Sequence, residues 1–268
     1  MADLSEDDRW RQYLVDNDPV VLRNKLELTN VYDLDDYQYS LTAFRAEEIR
    51  LGIAKIEPTF DADHLKAIHG HLFQDVFEWS GQFRTVTLQK GDSAFVKPDK
   101  LESLADKIGA EVRATPWETM EIWEKHEVLA RNYEMVNRLH PFREGSGRVT
   151  AIWMEAVAWE AGVDLDFSSM RRDTFIDAAI AAQDRRDLEP ITSLIAEHST
   201  DVGFPPPPRA SSPIEPIPSS ELVAPLRAMP DAGASLSERI DKLEQIRHPL
   251  VAPPTPAMPT LRRPPQLY

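Results

Sequence analysis

The sequence predicts an all-α domain that carries one β-hairpin and is followed by a proline-rich tail. Three observations predict it. Apolar residues recur at helical spacing through most of the first 200 residues, and one segment alone alternates apolar with polar positions. Sixteen of the 22 prolines lie beyond residue 200, beginning with the run Pro205 to Pro208. The boundary is therefore set there, with a helical domain over 1–200 and a tail over 201–268.

The first helix expected covers Asp35 to Ile53, where Leu41, Ala43, Phe44 and Ile49 stand among charges and no Pro or Gly intervenes before Gly52. Asp61 or Asp63 caps a second, which carries Leu65, Ile68, Leu72 and Val76. Pro98 suits the first turn of a third, with Leu101, Leu104, Ile108 and Val112 on one face. A long helix is predicted from Trp117 to Leu139; it stops before Pro141, whose ring disfavours helix at the residue ahead of it. The next runs from Gly147 to Ala161 and ends at Gly162, a natural C-terminal cap. Shorter helices over Met170 to Ala182 and Leu188 to His198 complete the domain.

The exception is Arg84 to Pro98. Val86, Thr87 and Leu88 form one arm, Lys90-Gly91-Asp92 turns, and Ala94, Phe95 and Val96 return. A lone hairpin is barely stable, so it must pack on helices or serve a purpose. The tail mixes Pro, Ser and Ala, cannot repay the entropy of ordering, and is expected to be largely disordered. One short amphipathic helix is expected in it, over Ser235 to Arg247, where Leu236, Ile240, Leu243 and Ile246 share a face and Ser235 with Glu238 forms a capping box.

Composition excludes several classes. There is no cysteine, hence no disulfide framework, thiolate metal site or cysteine nucleophile. No apolar run approaches the ~20 residues of a membrane span, and the acidic N-terminus lacks the layout of a secretory signal, so no membrane partner and a cytoplasmic location are expected. Seven acids balance seven bases in the tail, so the net charge of −15 resides in the first 200 residues. Such a surface repels phosphate backbones, and no nucleic-acid partner is expected.

The densest chemistry runs from Leu139 to Trp159. His140 and Pro141 end one helix, and the next opens on Gly145-Ser146-Gly147. Glycines around a small residue let backbone N–H groups converge on an anion, at the positive end of a helix dipole. Arg148 supplies a fork matching phosphate oxygens. Glu144 suits Mg²⁺, which takes one or two carboxylates together with phosphate. His140 is placed to remove a proton from a hydroxyl. These residues read either as a phosphoryl- or nucleotidyl-transfer site or as an ordinary interhelical loop. His64, His69 and His71 are read as packed or surface residues, because positions 69 and 71 face different sides of a helix. Trp117, Trp123, Trp153 and Trp159 are read as core, and Glu47-Glu48 as a solvated face.

His140-Pro-Phe-Arg-Glu-Gly-Ser-Gly-Arg148 resembles the Fic-family signature H-x-F-x-(D/E)-G-N-G-R, departing from it where Ser146 stands for Asn. Leu65 to Arg84 is similar to the segment leading into that family's flap, and Arg84 to Lys97 to the flap itself. The resemblance covers about Pro19 to His198. It implies a Fic-like helical domain with a hairpin flap, and a protein adenylyltransferase that moves AMP from ATP to a Ser, Thr or Tyr hydroxyl of a target protein. By the same resemblance His140 would be the general base and Glu144 the Mg²⁺ ligand. Gly145, Ser146, Gly147 and Arg148 would bind the nucleotide, Phe142 would hold the loop, and Lys90, Gly91, Asp92, Ser93 and Phe95 of the flap would dock the target. Gly147 favours nucleotidyl transfer, since Doc-like kinases of the superfamily carry Lys there.

Ser146 offers a shorter hydroxyl donor than the family's amide. Three consequences are open: a slower transferase, an altered nucleotide preference, or an inactive scaffold whose tail binds another protein through the PxxP spacings at Pro205 to Pro208, Pro213 to Pro216 and Pro253 to Pro256. Ser193 to Glu197 matches the start of the family's inhibitory motif, but His198 follows. The resemblance is thus to the class restrained by a separate small antitoxin protein, which implies a toxin or a toxin-derived effector, the latter secreted into a host cell without a cleavable signal.

Overall fold

A computed structural model describes residues 4–16, 18–90, 93–209 and 211–227. Helices α1 (Glu6–Arg11), α2 (Val31–Arg50) and α3 (Ala62–Phe73) precede a hairpin of β1 (Gln89–Lys90) and β2 (Ser93–Ala94). There follow α4 (Leu101–Ala114), α5 (Ile122–Leu139), α6 (Ser146–Glu160), β3 (Val163–Leu165), α7 (Arg172–Arg185), α8 (Glu189–Glu197), β4 (Ser199–Asp201) and α9 (Ser219–Arg227). The described residues fall into two units, one from within 1–56, 70–81 and 210–263, the other from within 57–69 and 82–209.

In the first unit, α2 begins ahead of the expected Asp35, because Asn30 caps it by accepting from the Tyr32 and Asp33 N–H groups. Its buried face is only partly apolar. Arg45 is fully buried and forks onto Asp75 at 2.7 and 2.9 Å, while its Nη1 reaches Glu48 at 2.8 Å and the Ile217 carbonyl at 2.8 Å. Glu48 is buried as well, contrary to the solvated face expected for it. It accepts from the Ile217 N–H at 2.9 Å and pairs with His71 Nε2 at 2.9 Å. Burial pushes its carboxyl up, but hydrogen bonds from His71 and Arg45 and the charge of Arg45 outweigh that and hold it at about 2.

Order therefore continues past residue 200. Ser212 N–H donates to the Gly52 carbonyl at 3.1 Å, Ile217 and Leu222 are buried, and α9 forms where no helix was expected. The helix expected over 235–247 lies outside the described residues.

In the second unit, α5 packs against α4, α6, α7 and α8. Its N-terminus corrects the expected Trp117 start. A 3₁₀ turn, Trp117–Thr119, ends at Met120 in extended conformation, and α5 opens at Ile122 behind a reciprocal cap between Glu121 and Glu124. Trp117 and Trp153 are core residues as expected, whereas Trp123 is 58% exposed. α6 is buried almost all round, through Val149, Ile152, Trp153, Met154, Val157 and Ala158. Gly162 lies in the left-handed region at φ 79°, and a Cβ there would sit 2.5 Å from the Gly203 carbonyl oxygen. That turn starts β3, which pairs antiparallel with β4, a ribbon the periodicity did not disclose. Trp159 Nε1 donates to the Pro207 carbonyl at 3.2 Å and Arg209 stacks over the same indole, so the first PxxP spacing is engaged by its own unit.

Asp61 caps α3, accepting from the His64 N–H at 3.2 Å. α4 approaches this cap at Gly109, where a Cβ would meet the Phe60 carbonyl oxygen at 2.7 Å and the Asp61 backbone at 2.8 Å. Gly109→Ala should therefore destabilise the protein by about 2 kcal/mol, although alanine raises helix propensity by ~1 kcal/mol. Urea denaturation at neutral pH checks the sign.

Candidate active site

α5 ends in a residue forced into a rare conformation. His140 closes the helix with φ 43° and ψ 63°, its N–H still donating to the Val136 carbonyl at 3.2 Å. A left-handed histidine is strained unless its surroundings hold it, and such residues gather at functional sites. The turn frees the last carbonyls of α5 and points the chain into the loop before α6. Gly145, at φ 82°, reverses it again and caps α6.

The loop between these two reversals is held by buried donors. Arg84 Nε donates to the His140 carbonyl at 2.8 Å and Nη2 to that of Leu139 at 3.3 Å, while its backbone N–H reaches Pro141 O at 2.9 Å. Ser146 Oγ accepts from the Phe142 N–H at 3.0 Å and donates to the Phe142 carbonyl at 3.1 Å. His69 Nε2 donates to the Glu144 carbonyl at 3.2 Å, and its ring lies flat on Phe142 with centroids 3.9 Å apart. Phe142 is fully buried and also meets Phe83 edge-on.

The predicted site residues thus take these places. Glu144 Oε1 accepts from the Gly145 N–H at 2.9 Å and from Arg148 Nη2 at 2.8 Å, one turn into α6. Ser146 and Gly147 form the first helical positions, whose N–H groups have no intrahelical partner. The Ser146 side chain turns inward, while its N–H stays at the α6 N-terminus. The side chain is buried and closes the loop on Phe142, so the hydroxyl is not aimed at a phosphate. Phe95 is also placed differently. It is buried, and its ring stacks on the His140 imidazole with centroids 4.0 Å apart and planes 17° from parallel. Of the remaining flap residues, Lys90 and Ser93 pair across the hairpin, while Gly91 and Asp92 lie outside the described residues. Pairing is shorter than expected and centres on Gln89↔Ala94.

Sequence reasoning missed Arg84 and His69. Arg84 was the boundary of two segments, and a lone arginine before a hairpin carries no periodic signal. The spacing of His69 marks it as packed and does not disclose its bond to the loop. Burial drives its pKa down to about 3, with the charge of Arg148 adding to that and the hydrogen bond to Glu144 opposing it. His64 accepts from the Phe60 N–H at 3.2 Å, and burial lowers it to about 4. His71 sits with Glu48 in the first unit. Among the described residues no three acidic or imidazole groups converge as a metal site. Glu144 alone suits an ion that takes its other ligands from phosphates and water.

The profile of the Fic/DOC family matches residues 59–158. The chain is 32% identical over 179 residues to "Probable protein adenylyltransferase y4lH" of Sinorhizobium fredii, a match spanning 65% of this chain and 89% of that protein. The chain belongs to the Fic/DOC family. It is also 32% identical to "Probable protein adenylyltransferase Fic" of Escherichia coli, over 59% of this chain and 78% of that one. Among solved structures, the Fic domain of a VirB-translocated Bep effector from Bartonella quintana, with bound ADP, superposes with a TM-score of 0.64 at 25% identity, over 71% of this chain and 95% of that one. BepC of Bartonella tribocorum, with bound AMPPNP, shares the fold at a TM-score of 0.63 and 22% identity, over 71% and 97%. The Fic fold expected from the sequence is therefore the fold observed, and the nucleotidyltransferase class agrees with the names of these relatives.

An amide has both the acceptor and the donor that Phe142 requires, so Ser146→Asn should keep the loop closed and leave ATP affinity within about threefold, whereas Ser146→Ala strands two buried groups and should cost about 2–4 kcal/mol in urea unfolding. His64 and His69 stay neutral in the fold below the point, near pH 6.5, where the unfolded chain takes up protons. The unfolded state binds more protons over that window, so stability should fall as pH drops from about 6.5 toward 4, by up to ~1.4 kcal/mol per pH unit for each histidine. His69→Gln should flatten the slope of urea midpoints measured across this range.

Proposed function

We propose that this Fic-family chain transfers AMP from ATP to a Ser, Thr or Tyr hydroxyl of a target protein. The supporting observation is the loop itself: an imidazole at one reversal and, at the other, a helix N-terminus flanked by Glu144 and Arg148. The target oxygen attacks the α-phosphorus, its proton passes to the His140 imidazole, and the bond to the bridging oxygen breaks to release pyrophosphate. The backbone N–H groups of Ser146 and Gly147, with the α6 dipole, meet the phosphate charge, and Arg148 meets the distal phosphates. Glu144 would hold Mg²⁺ against the phosphates, where the ion neutralises charge. The closed loop at Ser146 supports a working transferase over an inactive scaffold, because Ser146 satisfies both main-chain groups of Phe142.

In this proposal the hairpin aligns the target's backbone, and the role is that of a toxin or toxin-derived effector restrained by a separate small antitoxin. In support, Ser193 to Glu197 belongs to α8, which packs on α5 and α7 as part of the domain. Translocation by VirB is stated for the Bartonella neighbours and comes to this chain only as part of the effector proposal.

Incubation with α-labelled ATP, Mg²⁺ and a cell lysate tests the reading. Protein-bound label should appear with the wild type and fall by about 10²–10⁴-fold with His140→Ala. No label under conditions where ATP binds, or equal label from both proteins, would defeat it.

A further inference from the structure

Arg84 is almost fully buried, and its donors meet main-chain oxygens from two segments far apart in sequence. Toward the motif it bonds the carbonyls of Leu139, His140 and, through its own backbone N–H, Pro141. Toward the hairpin it donates from Nη1 to the Val86 carbonyl at 2.7 Å and from Nη2 to the Val96 carbonyl. Val86 and Val96 are the two arms of the hairpin at its base. Between Val96 and β2 stands Phe95, whose N–H pairs with the Leu88 carbonyl at 3.1 Å and whose ring covers His140. Val96 N–H in turn donates to the Arg138 carbonyl at 3.4 Å. The planar fork is suited to this task, because it presents five donors in fixed directions. The position also favours a cation, since the α5 carbonyls are the negative end of that helix.

We propose that Arg84 is a positioning residue that sets His140 twice: through the main chain of its left-handed turn, and through the hairpin arm that lays Phe95 on its imidazole. The hairpin and the base are thereby one mechanical element. A shift of the hairpin base moves the Phe95 ring and the His140 carbonyl together, so the hairpin controls the orientation of the base as well as any docking of a target. The catalytic consequence rests on the role proposed above for His140; the structural coupling does not.

The test uses the full chain with Arg84→Lys and Phe95→Leu. Lysine keeps the charge at the end of α5 but cannot reach the carbonyls of both segments at once. Two readouts are taken. The first needs no activity: a phenyl ring 4.0 Å over the imidazole shifts the His140 ring protons upfield in the NMR spectrum. That shift should vanish in Phe95→Leu and shrink by at least about half in Arg84→Lys, with His140→Ala assigning the signal. The second is kinetic. Each variant should lower kcat for AMP transfer by about 10-fold or more while KM for ATP changes less than about threefold, and the double variant should be no slower than the worse single one, because both act through one ring.

An unchanged His140 shift in Arg84→Lys overturns the coupling, as does a double variant whose losses multiply. If Arg84→Lys does not fold, Phe95→Leu decides, since it leaves the guanidinium bonds in place: a kcat equal to wild type overturns the proposal. Absence of AMP transfer in the wild type would defeat the functional reading while leaving the spectroscopic test standing.

Discussion

The left-handed turn at His140 sets a problem that much of the second unit answers. It breaks α5 at its most useful point, presenting an imidazole at a helix end, but it also leaves a run of main-chain carbonyls without helical partners in a buried place. Each unpaired group there would cost a kilocalorie or more, so the loop can exist only where donors are already fixed. They come from three sources: Arg84 before the hairpin, His69 near the end of α3, and Ser146 at the start of α6. Residues spread over the chain thus converge on one loop. Strain at His140 is balanced by these side-chain bonds.

Two buried arginines illustrate different ways of accommodating a charge. Arg45 is matched by the carboxylates of Asp75 and Glu48, a pairing whose loss of one member would leave an uncompensated charge. Arg84 is met by carbonyl dipoles at the end of α5 and at the hairpin base. The first arrangement makes a rigid anchor for the segment at Ile217. The second couples backbone to backbone. Carbonyl partners also leave the site without an added negative charge beside a region proposed to receive a triphosphate.

The helices of the second unit were legible because they are long, amphipathic and punctuated by Pro and Gly. The hairpin was legible from alternation and a Gly-Asp turn. The motif was legible because His140 to Arg148 resembles the Fic-family signature, departing from it only at Ser146. Glu48 reads as solvated because a doublet of acids usually is, and nothing local reports that Asp75, His71 and Ile217 enclose it together with Arg45. The helix expected to start at Trp117 is interrupted because Glu121 and Glu124 cap a new start, a box with Glu in place of the usual Ser or Thr. Composition places Ile217 and Leu222 in a tail, yet main-chain bonds to Glu48 and Arg45 give that segment a place.

The sequence by itself determined the helical class, the hairpin, and the cluster from His140 to Arg148, because periodicity, turn chemistry and motif spacing are local properties. Only the tertiary structure decided what Ser146, Phe95, His69 and Arg84 do. Each acts on a residue through a contact whose geometry depends on backbone torsions and on neighbours distant in the chain or, at Ser146, on a loop folded back through four residues. The hydroxyl of Ser146 could face a phosphate or the Phe142 main chain with equal justification from its residue type. The left-handed turn brings that main chain to it, and a buried N–H and carbonyl in need of partners leave the hydroxyl no other place.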